Sequence, residues 1–174
     1  KPKNLLSKAY EFVSSGMAFP NAKSEQDITV DGIKFFTRYR YAGTVQKNTR
    51  PFCREMIRRN KIYRKEDIIR METTPVNEGW GAKGANTYSV WFYKGGGSCR
   101  HRWNREVYAQ FEDAGLNIND PRVKPIAQRR IKKYGYDPKK GVLKNDKKVA
   151  QRTREMKNRG FLEPKNFTTP VNEN

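Results

Sequence analysis

Cys53, Cys99 and His101 are the residues of this sequence best suited to chemistry. Thiolate and imidazole are zinc ligands, and loops that lead into helices often present them. A closed structural site takes four ligands, however, and no CxxC knuckle is present. His101 is the one histidine, so a fourth ligand would be a carboxylate or come from another chain. A Cys53–Cys99 contact or disulfide is a second reading, and the plainest is two buried cysteines and a histidine at a helix start. Plain packing is the expectation: no cofactor, no resident metal, and Cys53, Cys99 and His101 kept only as candidate ligands.

Catalysis has little to draw on. A thiol nucleophile needs a base. His101 lies two residues from Cys99, a poor spacing for contact within one helix, and Cys53 reaches it only if the fold brings them together. Glu66 and Asp67 are adjacent carboxylates, but at a charged helix start such residues usually face solvent. His101 with Asn104 lacks the acidic cluster of a metal-dependent nuclease. No enzyme activity is expected and no catalytic residue is assigned.

The glycines Gly79, Gly81 and Gly84 spell GxGxxG, and Gly95-Gly96-Gly97 follows. The dinucleotide fingerprint should follow a strand and open a helix, whereas here a strand is expected after it. Tight turns with positive φ are the expected use of these glycines. Lys94 and Arg100 beside the triple glycine leave weak anion binding open. Arg38, Arg40, Arg54, Arg58 and Arg59 interleave with aromatic residues and Met, as in single-stranded nucleic-acid platforms. A basic surface is the favoured reading for the strand residues, and the helix residues stay open between the two readings.

These residues need elements to position them. The chain has 174 residues, 35% hydrophobic and 12% aromatic, which suits a small core with a large polar periphery. Leu5 to Val13 recur at helical spacing before Gly16, and 19–27 reads as loop. Ile33, Phe35, Thr37, Tyr39 and Tyr41 alternate with Lys34, Phe36, Arg38 and Arg40, a strand with one apolar and one mostly basic face. Pro51 favours a first helical turn, so Arg50 to about Asn60 is a helix, and Lys65 to Met71 a second. Pro75 to Asn86 is a loop, Tyr88 to Tyr93 a strand dense in β-favouring residues, and Arg100 to Phe111 a helix. The fold expected is α+β: a compact domain over 1–120 with a short β-sheet and three or four short helices, then a basic extended arm and tail over 121–174.

Thirty-seven Lys and Arg against 18 Asp and Glu give a net charge of +19. Such a chain meets polyanions, either nucleic acid or an acidic protein surface. The charge concentrates in the arm: Arg122, Lys124, Arg129, Arg130, Lys132, Lys133, Lys139, Lys140, Lys144, Lys147, Lys148, Arg152 and Arg154 are the expected nucleic-acid or partner contacts. Apolar residues there are sparse and unpatterned, too few to offset the entropy of ordering, so the arm is expected to order against other chains. No apolar run approaches the roughly 18 residues of a membrane span, and two cysteines exclude a disulfide-rich scaffold. Lys at position 1 is read as the mark of a processed product or fragment of a longer protein.

Arg38-Tyr-Arg-Tyr-Ala42, Thr49-Arg-Pro-Phe-Cys-Arg-Glu-Met56, Tyr63-Arg-Lys-Glu-Asp67, Val76-Asn-Glu-Gly-Trp-Gly81 and Tyr93-Lys-Gly-Gly-Gly-Ser-Cys-Arg-His-Arg-Trp103 together resemble a segment of structural proteins of tailed phages of Bacteroides-type hosts, including crAss-like phages. The resemblance spans about residues 20 to 110, and Met156-Lys-Asn-Arg-Gly-Phe161 resembles the end of such proteins. A looser similarity is to the phage Mu F-like head-morphogenesis domain, from which this chain departs in lacking paired cysteines and a second histidine. The resemblance implies a virion protein, assembled in the host cytoplasm into a multi-copy particle. Its partners would be portal, capsid or neck subunits and packaged DNA, with no membrane. The alternative is a DNA-handling or ejected cargo protein packaged in the capsid, including a metal-dependent enzyme.

Overall fold

The computed structural model describes residues 17–111, 117–134 and 136. The expected helix near residues 5–13 and the tail from Gly160 lie outside the described residues. The fold is α+β, built on an antiparallel sheet. Its strands are β1 (Ile28–Val30), β2 (Ile33–Ala42), β3 (Ile62–Tyr63), β4 (Arg102–Gln110) and β5 (Val123–Pro125). Their order is β1-β2-β4-β5, with β3 also pairing β2. The helices are α1 (Pro51–Arg59), α2 (Lys65–Arg70), α3 (Val90–Tyr93) and α4 (Gln128–Ile131). No helix among the described residues is long and apolar enough to cross a membrane.

The long β2–β4 pair is the spine, running from Lys34 opposite Gln110 to Ala42 opposite Arg102. Alternation puts Phe35, Thr37, Tyr39 and Tyr41 on one face with Trp103, Val107 and Ala109. At one end of this face α1, α2 and α3 cover Tyr39 and Tyr41 with Phe52, Met56, Ile68 and Trp91. At the other end Ile131 and Tyr136 cover Phe35. Phe36, Tyr108, Ile118 and Val123 pack on the opposite face.

That face of β2 carries Lys34, Arg38 and Arg40, as the alternation has it, but it is packed, which corrects the expectation of a basic surface. Arg38 is wholly buried there, with Nη1 2.6 Å from Asp27 Oδ1 and Nε donating to Pro20 O at 2.8 Å. Arg40, half-exposed, pairs with Glu106 at 2.8 Å, reaching diagonally across to β4.

α1 forms where Pro51 presets the first turn and buries Phe52, Cys53 and Met56 on one stripe. It stops at Asn60, whose left-handed conformation (φ 51°) caps the C-terminus, with Arg58 and Arg59 favourably placed in the last turn. α2 begins where Asp67 reaches back to accept the Arg64 backbone N–H at 2.9 Å.

Two elements exchange the types expected of them. Tyr88 to Tyr93 is not a strand: Ser89 caps a helical turn by accepting from Phe92 N–H, and Val90 to Tyr93 are all buried. Their β-favouring side chains fill a core between α2 and the sheet, and propensity yields to packing. Arg100 to Phe111 is not a helix. Trp103, Val107, Tyr108 and Phe111 fall at helical intervals, but Trp103, Val107 and Ala109 also share a strand face. β4 lies between β2 and β5, so Val107 to Gln110 are buried on both faces and the sequence alternation is lost.

The boundary expected at residue 120 runs through packed structure. Val123–Pro125 pairs with β4, Ile131 is fully buried, and Tyr136 stacks on Phe35 with ring centroids 5.2 Å apart. β5, Ile131 and Tyr136 are therefore held by this chain, contrary to the expectation that other chains order this part of the arm. Three well-placed apolar side chains suffice where the sheet supplies their partner surface.

Candidate metal centre

Cys53 sits in the buried stripe of α1, Cys99 follows the triple glycine, and His101 immediately precedes β4. Their ligand atoms all lie within 4.8 Å of one another. Sγ of Cys53 is 3.9 Å from Sγ of Cys99, which is 3.4 Å from His101 Nδ1. Both cysteines are free thiols in contact, not a disulfide. Tyr41, from β2, completes the cluster with Oη 3.3 Å from Cys53 Sγ and 3.7 Å from Cys99 Sγ. Its ring stacks on the imidazole, centroids 5.5 Å apart and 15° between planes.

Glycine is required where the loop crosses this cluster. A Cβ on Gly95 would collide with Cys53 Sγ and stand 3.1 Å from Cys99 Sγ. The loop is latched in place from outside. Arg50, the residue before α1, donates to Gly95 O at 2.6 Å and to Gly97 O, and its guanidinium lies 3.8 Å over the Trp80 ring. Asn77 Nδ2 donates to the same Gly95 carbonyl and to Tyr88 Oη, both at 2.9 Å. Gly79 and Gly84, of the GxGxxG string, take positive φ in the turns around Trp80 and meet no helix start of a dinucleotide fold.

The two thiols are unequal. A hydrogen bond from Cys53, reinforced by His101 and by backbone groups, holds Cys99 far below the usual thiol range despite its burial. The reciprocal bond to Cys99, together with burial and the neighbouring negative charge, pushes Cys53 up. Burial first, and the two sulfurs next, raise Tyr41 well above the ordinary phenol value, so Tyr41 stays a hydroxyl.

The other residues singled out in the sequence do not converge here. Asp67, expected to face solvent, is fully buried and binds the backbone N–H of Phe19 and Arg64 and the Arg64 guanidinium. Glu66 accepts from the Ser24 hydroxyl and the Glu25 N–H, so the two carboxylates serve different structural bonds. Lys94 is buried with Nζ donating to Phe92 O at 3.2 Å, away from any surface anion. Arg54 and Arg58 lie on the exposed side of α1, where Arg58 pairs with Glu55 at 2.9 Å, and Arg59 is half-buried.

Among the expected polyanion contacts, Lys124, Arg129, Arg130, Lys132 and Lys133 are exposed and have no acidic partner among the described residues. Arg122 is exposed and paired with Asp120 at 2.7 Å. Lys139, Lys140, Lys144, Lys147, Lys148, Arg152 and Arg154 lie outside the described residues. The parts that Tyr41, Arg50, Asn77 and Gly95 play at this cluster escaped the sequence reading, because nothing in their local pattern reports a contact across tens of residues.

No family model, no curated protein and no solved structure matches the chain.

Proposed function

We propose that the chain is a non-enzymatic structural protein of a bacteriophage virion, at the head or portal vertex, docking in a multi-subunit assembly and neutralising packaged DNA or an acidic neighbouring subunit. The virion setting rests on the motif resemblance. The polyanion contact rests on one observation: β5, α4 and the turn after it carry Lys124, Arg129, Arg130, Lys132 and Lys133 outward, while Val123, Ile131 and Tyr136 fasten the same segment to the sheet. Cations fixed to a scaffold lose less freedom on binding than cations on an unanchored chain, so they favour a dense polyanion at smaller entropic cost.

Imaging of the native particle tests this reading. Ordered copies in symmetric positions, with the 123–136 segment against DNA or an acidic subunit surface, are expected. Metal-dependent cleavage of DNA by the purified chain would overturn the structural role in favour of a packaged DNA-handling enzyme.

A further inference from the structure

We propose that Cys53, Cys99 and His101 hold one zinc ion, a structural centre that fastens the glycine loop to α1 and to the start of β4. A tetrahedral zinc has bonds of about 2.3 Å to sulfur and about 2.0–2.1 Å to nitrogen, which sets edges of about 3.8 Å between sulfurs and about 3.6 Å between sulfur and nitrogen. The corresponding separations here are 3.9 Å and 3.4 Å. Three ligand atoms from three separate parts of the fold lie within 4.8 Å of one another, and the two edges that meet at Cys99 already have the lengths a zinc tetrahedron requires.

Charge and softness select the ion. Two thiolates balance a dication, leaving a buried centre without net charge beside the Arg50 guanidinium. Thiolate and imidazole favour zinc over magnesium or calcium, which take oxygen ligands. Each thiol that enters the coordination sphere releases its proton to solvent, so binding is accompanied by proton release. The fourth ligand is then a water or Tyr41 Oη, which lies 3.3 and 3.7 Å from the two sulfurs. Burial around the cluster fits a structural ion, since a catalytic zinc keeps a corner open to substrate.

Metal analysis of the full chain, purified with its thiols reduced and then given zinc, reads this directly. One equivalent of zinc per chain is expected, with a higher Tm that a chelator reverses. Cobalt in place of zinc should show a thiolate-to-cobalt charge-transfer band, a reading that needs no variant to fold. Cys53→Ser and Cys99→Ser should each lose that band or weaken it severely, and His101→Ala should lower affinity for the ion. A reduced chain that takes up neither metal and keeps the same Tm in chelator overturns the proposal. Binding that survives undiminished in all three variants overturns it equally, by moving the metal elsewhere. So does a thiol count showing Cys53 and Cys99 joined as a disulfide under the same reducing conditions.

Discussion

Arg38 and Asp27 form an ion pair at 2.6 Å within the packed second face of the sheet, where the guanidinium has no exposed surface. The remaining donors of Arg38 reach the carbonyls of Pro20, Ala22 and Thr37, so the loop before β1 is folded around this one side chain. Removing a single partner of such a pair strands a buried charge, at about 3–5 kcal/mol. Asp27→Ala should therefore unfold at much lower urea than the parent. Arg38→Met combined with Asp27→Leu should recover most of the loss. A double variant no more stable than Asp27→Ala would show that the loop, rather than the charge, is what matters.

Helix α1 and strand β2 were legible because their signals are local: Pro51 before a Phe52–Met56 stripe, and an unbroken alternation from Ile33 to Tyr41. β4 was not, because a central strand buries both faces and its apolar residues then match a helical interval by coincidence. Arg38 shows the same limit, since a cation in an alternating strand reads as solvent-facing until its partner Asp27 is placed. The chemistry of Cys53, Cys99 and His101 was legible from residue type. Their meeting was not, because the two cysteines are 46 residues apart and the β2–β4 register brings Tyr41 and His101 together.

Gly95→Ala tests how tightly the loop is drawn over the sulfurs. The added methyl would have to displace Cys53 Sγ, which sits in the buried stripe of α1. Overpacking of this kind typically costs about 1–3 kcal/mol. Lower stability and faster reaction of both thiols with a disulfide reagent are the expected result. Unchanged stability with unchanged thiol reactivity would mean the loop moves aside freely.

Tyr108 should make the fold sensitive to strong alkali. Burial, then the hydrogen bond its hydroxyl donates to Glu106 at 2.6 Å, pushes the phenol up to about 12, against about 10 in an unfolded chain. A raised folded-state value means the protonated form is favoured by folding. Its contribution is complete below about pH 10 and fades as pH rises toward 12. Tyr108→Phe lacks that contribution, so the stability gap between parent and variant should narrow across this window. A gap that stays constant from pH 8 to 12 would remove Tyr108 from the account. Tyr63 and Tyr88, raised by burial, should titrate later still, visible as a delayed phenolate absorbance.

The basic segment gives the sharpest test, because anchoring and charge can be separated in it. Each phosphate contact releases counterions and adds about 0.9 to the slope of log affinity against log salt. Exchanging Lys124, Arg129, Arg130, Lys132 and Lys133 for Gln removes five exposed cations and leaves Val123, Ile131 and Tyr136 in the core. The slope for duplex DNA should fall by about 4.5 if all five touch phosphate, with urea stability close to the parent's. Deleting 137–174 should leave the sheet folded and remove whatever share of the slope belongs to that part of the chain. Deleting from 122 onward is a different experiment. It strips β5 from β4 and uncovers Phe35, so loss of the fold is expected there. A five-residue variant that binds DNA with the parent's slope would move the contact to the region beyond 136 or to the exposed arginines of α1. A parent chain with no salt-sensitive DNA binding at all would leave an acidic protein surface as the partner of these cations.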